Sequence, residues 1–277
     1  MVATPIGNRA DLSLRAIHVL ALVEAIACED TRHSAPLLLL LGLEKPLLAV
    51  HEHNERAAAS AILDRLARGE RVACISDAGT PAVSDPGAVL VAAAMDAGYR
   101  CVPIPGASSA LAALSVAGDA HGSGFDFVGF LPARGHERAR ALDRLAATAQ
   151  TCVVFEAPHR IEALAEGLAA RCADRGVTLC RELTKQFETV HTTTADRLPA
   201  WLAADPNRLR GEFVVVLHAL RGAAAAVEEG AAHDATLGPL LAALPLRQAV
   251  ALAAQLTGAP RNALYARALA LKSGAAP

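Results

Sequence analysis

The run Ile75-Ser76-Asp77-Ala78-Gly79-Thr80-Pro81-Ala82-Val83-Ser84-Asp85-Pro86-Gly87 constrains the fold more than any other part of the chain. Before it, Val72 to Ile75 is uniformly apolar; after it, Ala88 to Met95 has helix-like apolar character. The pattern predicts a strand, a long polar loop and a helix. In open α/β sheets ligands sit where loops leave the carboxyl ends of strands, so this loop is expected to hold a polar group. Within it, Ser84 or Asp85 is expected to cap the following helix, with Pro86 in its first turn.

The same alternation recurs across the first part of the chain. Val2-Ala3-Thr4 reads as a strand stub, and a longer first strand beginning upstream of Met1 is expected. Ala25–Cys28 and Cys101–Ile104 read as strands. Ser13 is placed to cap a helix through about Leu22, and Thr31 or Ser34 opens one that Gly42 closes. Asn54 starts another, to about Arg68. Strands alternating with helices predict a parallel sheet covered on both faces. Near Gly118 the texture changes. Strands at 127–130, 152–155, 177–180, 188–194 and 213–217, with helices at 138–149 and 161–172, predict a second, mixed α/β domain. Residues 222–236 read as an Ala/Gly/Glu linker. Residues 237–277 read as a tail of two short helices broken at Thr257-Gly258-Ala259-Pro260. The expected division is therefore 1–118, 119–221, 222–236 and 237–277.

At 277 residues, 53% hydrophobic and 19% charged, the chain has material for two packed cores and is not a disordered one. Its net charge of −2 does not mark it as a general nucleic-acid binder, so any basic patch is local. The tail from 237 onward, with Arg247, Arg261, Arg267 and Lys272 and no acidic residue, is either a packing appendage or an RNA-facing arm. Six cysteines without C-x-x-C spacing read as small buried hydrophobes in a reducing cytoplasm. No apolar run reaches membrane-spanning length, so no membrane partner is expected.

Four breaker-rich segments follow strand-like runs: Thr4–Asn8, the opening loop, Pro103–Ser109 and Glu156–Arg160. In such a sheet they gather at one edge. No G-x-x-x-x-G-K-[ST] or G-x-G-x-x-G pattern is present, which argues against ATP or NAD. Ser108 and Ser109 serve equally well as helix caps or ligand contacts. His51-Glu52-His53 has ligand-type residues but points them to opposite faces, and no metal is expected. Lys185, in Arg181-Glu182-Leu183-Thr184-Lys185, is either a surface charge or part of the site. Arg134, His136, Arg138, Arg140 and Arg144 form either a solvated helix face or a phosphate-binding one.

Taken together, VATPIGN (2–8), EDTR (29–32), SDAGTPAVSDPG (76–87), PGASSALAALSVAG (105–118), GFLP (129–132), FEAPHR (155–160), RELTKQFET (181–189) and RGEFVVVL (210–217) resemble the tetrapyrrole-methylase fold family of S-adenosylmethionine-dependent methyltransferases. The resemblance is strongest to the branch that methylates the ribose 2′-oxygen of a cytidine in the decoding region of 16S rRNA. It implies two α/β domains with S-adenosylmethionine in the cleft between them, and a homodimer; because a chain of net charge −2 is a poor general RNA binder, the assembled small ribosomal subunit is the expected substrate. It maps cofactor contacts onto Pro5, Asp77, Gly79, Thr80, Pro81, Val83, Ser108, Ser109, Phe155, Glu156, Gly211 and Glu212. Phe155 stands where tyrosine is usual in the family, and Ala107 where proline is common.

Transfer to a ribose hydroxyl benefits from a base. Lys185 is the leading candidate if desolvation leaves it partly neutral, with Asp30 and Glu29 as carboxylate alternatives. Arg32, Arg134, Arg138, Arg140 and Arg160 are the expected RNA contacts. Competing readings are a tetrapyrrole C-methyltransferase, against which the first loop TPIGN argues, and a cofactor-binding assembly factor without catalysis.

Overall fold

The computed structural model of the chain describes residues 1–51, 54–220, 233–234 and 236–273. Glu52, His53 and most of the expected linker lie outside the described residues. The first domain contains α1 (Leu14–Leu22), β1 (Ala25–Cys28), α2 (Thr31–Leu40), β2 (Leu47–Ala49), α3 (Glu55–Ala67), β3 (Val72–Ile75), α4 (Ala88–Asp96) and α5 (Ser109–Ala117). Its sheet is parallel, in the order β2-β1-β3, with Ile26 opposite both Leu47 and Ala73. All of β1 is buried, as expected of a strand covered on both faces. Ser13 Oγ accepts from the Ala16 amide and caps α1 as its position suggested.

The N-terminal stub lies between β3 and the 102–104 segment. The Val2 amide donates to Cys74 O at 2.8 Å, and the Ile104 amide to Met1 O at 2.8 Å. Cys101–Ile104 does not form the expected strand; only Ile104 bridges, to Val2. Pro103 has no amide to give a ladder, which explains the shortfall. β2, directly after Pro46, was too short to stand out from its surroundings.

The second domain contains β4 (Phe125–Phe130), α6 (Gly135–Ala147), β5 (Thr151–Glu156), α7 (Ile161–Cys172), β6 (Gly176–Arg181), β7 (Thr189–Thr194), α8 (Leu198–Ala203) and β8 (Phe213–Leu217). Its five strands run in the order β4-β5-β8-β6-β7, with β4 and β5 parallel and the other pairs antiparallel. One face packs on α6, α7 and α8 through Leu142, Leu164, Leu168 and Leu198.

The other face is covered by α5, which comes from the first domain. Ala110, Ala113 and Ala117 lie against Val153, Cys180, Val214 and Val216. Small residues on that helix let it approach the sheet closely, and Thr178 Oγ1 donates to Ala117 O at 3.0 Å. Burying this shared face fixes the loop before α5 against the second sheet.

Asp119, just past the αL residue Gly118, secures the crossing. Its carboxylate accepts from Thr151 Oγ1 (2.6 Å) and from the amides of Ala219 (2.7 Å) and His121 (3.1 Å). Burial alone would raise this carboxyl, but the hydrogen bonds outweigh it and hold it below its ordinary value.

The tail has three described helices where two were expected: α9 (236–243), α10 (Leu246–Thr257) and α11 (Arg261–Ser273). Pro245 separates α9 from α10. They share a small core of Leu237, Val250, Ala253, Leu264 and Ala268. Arg267 grips Asp234 through Nε (2.7 Å) and Nη2 (2.5 Å), so one of the tail's four basic residues is neutralised internally.

Candidate active site

Backbone strain marks the site first. Non-glycine residues with positive φ are Ala82, Ser84, Glu182 and Thr184, two in the opening loop and two in the RELTK loop. Among the described residues no others have it. Such conformations persist only where the surroundings over-determine them, and they cluster at ligand-binding places.

The opening loop leaves β3 and is pinned from several sides. The Thr4 and Gly79 amides exchange backbone hydrogen bonds at 2.9 and 3.1 Å. Thr80 Oγ1 donates to Ala107 O at 3.1 Å, joining it to the loop before α5. Gly79 has φ 81°, and a Cβ there would lie 3.3 Å from Ile6 Cγ2. The expected caps are corrected: Ser84 and Asp85 do not cap α4. Gly87 is its N-cap residue, and Pro86 lies ahead of it. The cap comes from α3, where Glu55 Oε1 accepts from the amides of Gly87 (2.8 Å) and Val89 (3.0 Å). A carboxylate at a helix N-terminus also meets the positive end of the dipole.

Between the two domains lies a cavity of about 360 Å³, within the usual size range of small-molecule sites. The opening loop contributes Gly79, Thr80, Val83 and Asp85, and the loop before α5 contributes Ser108 and Ser109. The second domain contributes Phe155, Glu156, Leu183, Glu212 and Val214. Ser108 makes no side-chain cap bond to α5, so its hydroxyl is not used as a cap. Ile6, Phe130, Cys180 and Phe213 also line the cavity and were not singled out from the sequence. Phe127 and Phe130 meet Phe155 edge-on, with centroids 5.1 and 5.6 Å away. The chamber thus has an apolar wall and a rim of hydroxyls and carboxylates. That donor set fits an amphiphilic nucleoside carrying an amino acid, the form of S-adenosylmethionine.

Four residues assigned to the cofactor lie elsewhere. Pro81 is buried and does not line the cavity. Gly211, at φ 95°, leaves room for the Glu182 side chain, which a Cβ would strike. Pro5 and Asp77 line a second chamber of about 180 Å³, shared with Thr4, Gly7, Arg9, His33, Ser34, Leu37, Ile75 and Ser76. Glu156 lines the large cavity but is already committed. Its side chain is wholly buried, accepts from Arg138 Nη2 at 2.7 Å and the Ala157 amide at 3.0 Å, and meets Arg160 Nε at 2.8 Å. The Arg160 contact is an ion pair off the hydrogen-bonding direction.

That arrangement corrects the RNA assignments of Arg138 and Arg160. Arg138 is turned inward, with Nη1 also donating to Pro132 O. Arg138, Ala141, Leu142 and Leu145 share the buried face of α6, a helical spacing visible in the sequence. Arg160 is largely covered. Arg134 and Arg140 are exposed, and Arg32 is open to solvent though paired with Asp30 at 2.6 Å.

The base candidates separate clearly. Lys185 Nζ donates to Glu212 Oε2 at 2.6 Å and Glu182 Oε1 at 2.9 Å. Burial alone would lower its ammonium, but these two carboxylates outweigh burial and raise it. Lys185 is therefore held as an ammonium, and the condition under which it was the leading base, partial neutrality through desolvation, is not met. Asp30 is the N-cap of α2 and is paired with Arg32, whose hydrogen bonds lower the carboxyl to about 2. Glu29 behaves oppositely: burial, then the charges of Asp77 and Asp85, raise it above its ordinary value. Asp85, raised by burial and by Asp77, belongs to the same group. Asp77 itself pairs with His33 Nδ1 at 3.1 Å and accepts from the Asp30 amide at 3.1 Å. Among the described residues no cluster of metal-ligating side chains occurs, and no helix is long and apolar enough to cross a membrane.

Comparison with known proteins agrees with this layout. Residues 1–199 match the family described as Tetrapyrrole (Corrin/Porphyrin) Methylases, and residues 227–272 match the RsmI C-terminal HTH domain. The chain is 46% identical to ribosomal RNA small subunit methyltransferase I of Pseudomonas aeruginosa, over 97% of this chain and 95% of that one. It is 47% identical to the protein of that name from Xylella fastidiosa, over 96% of each. A solved cobalt precorrin-4 methyltransferase superposes with a TM-score of 0.57 at 18% identity, covering 78% of this chain and 92% of that one. Uroporphyrin-III C-methyltransferase from Thermus thermophilus, complexed with S-adenosyl homocysteine, gives 0.55 at 18% identity, covering 78% and 95%. Both structures share the fold.

Proposed function

This chain belongs to the tetrapyrrole (corrin/porphyrin) methylase family, and on that premise we propose that it methylates the ribose 2′-oxygen of a cytidine in 16S rRNA of the small ribosomal subunit. It is a methyltransferase. The observation that carries the RNA reading is near-full-length similarity, helical tail included, to proteins named ribosomal RNA small subunit methyltransferase I. The tetrapyrrole enzymes resemble it only distantly and share the fold alone.

S-adenosylmethionine supplies the methyl group. Thr80, Ser108, Ser109 and Glu212 stand where its polar ends would be held, and Ile6, Phe155 and Val214 where its apolar surface would pack. Binding in an interdomain cavity excludes water and fixes orientation, which is much of what an enzyme contributes to group transfer. Glu29 is the proposed acceptor of the hydroxyl proton: it precedes Asp30, whose amide donates to Asp77 on the wall of the small chamber, and a raised carboxyl is better matched to that task than one near 2. Lys185, held charged, offsets the carboxylates of the RELTK and RGE loops and fixes their geometry.

The enzyme works in the cytoplasm as a homodimer. Support for the dimer comes from β4, an edge strand that leaves Phe125 (45% exposed) and Val128 (40%) open to solvent. An uncovered apolar edge of this kind is what a partner strand or surface buries. The proposed domain division is the one drawn from the sequence, with Asp119 at the crossing. The test of function is methyl transfer from labelled cofactor. Label in the ribose of small-subunit RNA, and its absence from a porphyrinoid, supports the reading; the reverse overturns it.

A further inference from the structure

We propose that the chamber of about 180 Å³ beside the cofactor cavity is the subsite for the acceptor nucleotide, a single unstacked pyrimidine ribonucleotide. The inference rests on the functional reading above and adds where the RNA is read.

The two chambers are lined by the same two loops. Ile6, Ala78 and Gly79 line the larger one, while Pro5, Gly7, Ser76 and Asp77 line the smaller. Successive residues of these two loops divide between the chambers, so the same loops serve both sides. The Thr4–Gly79 bridge lies at their junction. A group in the small chamber is thus next to the methyl donor's cavity without occupying it.

Its size and chemistry narrow the occupant. The chamber admits a nucleoside-sized group and is too small for a tetrapyrrole macrocycle. Ser34 lines it with a buried hydroxyl that has no hydrogen-bond partner. The Cys28 thiol is close enough for Ser34 to bias its ionisation, but not in hydrogen-bonding geometry. Thr184, whose hydroxyl is also buried without a partner, packs behind Gly7, which lines the chamber, but does not line it itself. Buried polar groups without partners are rare, and each marks a place where a ligand can complete the bonding. Asp77 accepts from the Asp30 amide and faces His33, and its oxygens have lone pairs to spare. A carboxylate accepts from the exocyclic amine of cytosine, which uracil lacks. Arg9, exposed on the chamber's wall, suits a phosphate.

The experiment titrates cytidine 5′-monophosphate, with uridine 5′-monophosphate alongside, into full-length protein saturated with S-adenosylhomocysteine. Imidazole signals of His33 are followed by NMR. Cytidine monophosphate is expected to shift His33 saturably and to bind more tightly than the uridine analogue. Ser34→Val is expected to weaken it roughly fivefold, the size of one net hydrogen bond. S-adenosylhomocysteine affinity, measured separately, should stay within about twofold, which also shows that the variant is folded. No His33 shift, or equal binding by wild type and Ser34→Val, overturns the subsite. If the wild-type protein still methylates small subunits in that case, the proposed function stands and only the subsite fails. If it does not, both fall.

Discussion

Lys185 of the second domain lies directly over Gly7 of the first. A Cβ at Gly7 would overlap Lys185 Cγ and come within 3.0 Å of Thr184 Oγ1. The TPIGN and RELTK loops therefore close on each other at one point, and a hydrogen atom there is what lets the lysine reach Glu212 and Glu182.

Gly7→Ala tests that contact. Its backbone is not in the left-handed region, so the substitution strains nothing locally. It must push the lysine aside and loosen the carboxylates it holds. Turnover on small subunits is expected to fall at least about tenfold, since small displacements of positioning groups cost up to about 10²-fold. Stability should fall by the roughly 1–3 kcal/mol typical of overpacking, with the fold retained by circular dichroism. Turnover equal to wild type would remove the lysine from the catalytic arrangement.

The pH profile separates Glu29 from Lys185. Glu29 is raised above its ordinary value, so the base form is lost as pH falls through that raised value. Activity should rise across the acid range and then level off. Lys185, likewise raised, remains charged through neutrality and should give no ascending limb there. Glu29→Gln should lower turnover by about 10²–10⁴-fold and flatten the acid limb. A limb that survives in Glu29→Gln but vanishes in Lys185→Met would reverse the roles.

Parts of this site are written in the sequence and parts are not. The opening loop was legible because an apolar run and a cluster of breakers are local signals. Its helix cap was not, because Glu55 arrives from another helix. Arg138 was legible in principle, since it shares a helical face with Ala141, Leu142 and Leu145, yet Arg134 and Arg140 beside it point outward. Lys185 is the instructive case. Its presence in RELTK marked it as functional, but its charge state depends on Glu212, brought across by the β6–β8 pairing. Ionisation is a property of the folded neighbourhood.

Asp119 makes the domain crossing pH-sensitive. Its folded carboxyl titrates below the unfolded one because Thr151, Ala219 and His121 donate to it. The stabilisation is complete above the ordinary carboxylate range and is lost as pH falls through the folded value. Asp119→Asn should destabilise by about 1–3 kcal/mol at neutral pH. The difference from wild type should shrink in acid. Denaturant melts of both proteins at several pH values check this, and a difference independent of pH would contradict it.

The β4 edge carries the dimer prediction. Phe125→Lys with Val128→Lys places charge on the outward side of an edge strand, a substitution that natural edges use against pairing. The pair is expected to convert a dimer to a monomer in light scattering, with the fold retained by circular dichroism. A dimer of unchanged mass would place the interface elsewhere.

Glu156 offers the sharpest test of a residue shared by fold and site. Its carboxylate has no exposed side-chain surface and is compensated by Arg138 and Arg160. Breaking a buried pair costs about 3–5 kcal/mol because the remaining charge is left uncompensated. Arg138, largely buried and bound to Pro132 O, would be that charge in Glu156→Ala. Glu156→Gln keeps the shape but removes the anion, and should recover part of the loss. If Glu156 served chiefly to bind S-adenosylmethionine, both variants would lose S-adenosylhomocysteine affinity while keeping their stability. The structure predicts the opposite order: stability falls first and most in Glu156→Ala. Cofactor affinity should follow only as far as the cavity wall at Phe155, one residue earlier in β5, is disturbed. Parallel denaturant melts and calorimetric titrations of the two variants resolve these outcomes.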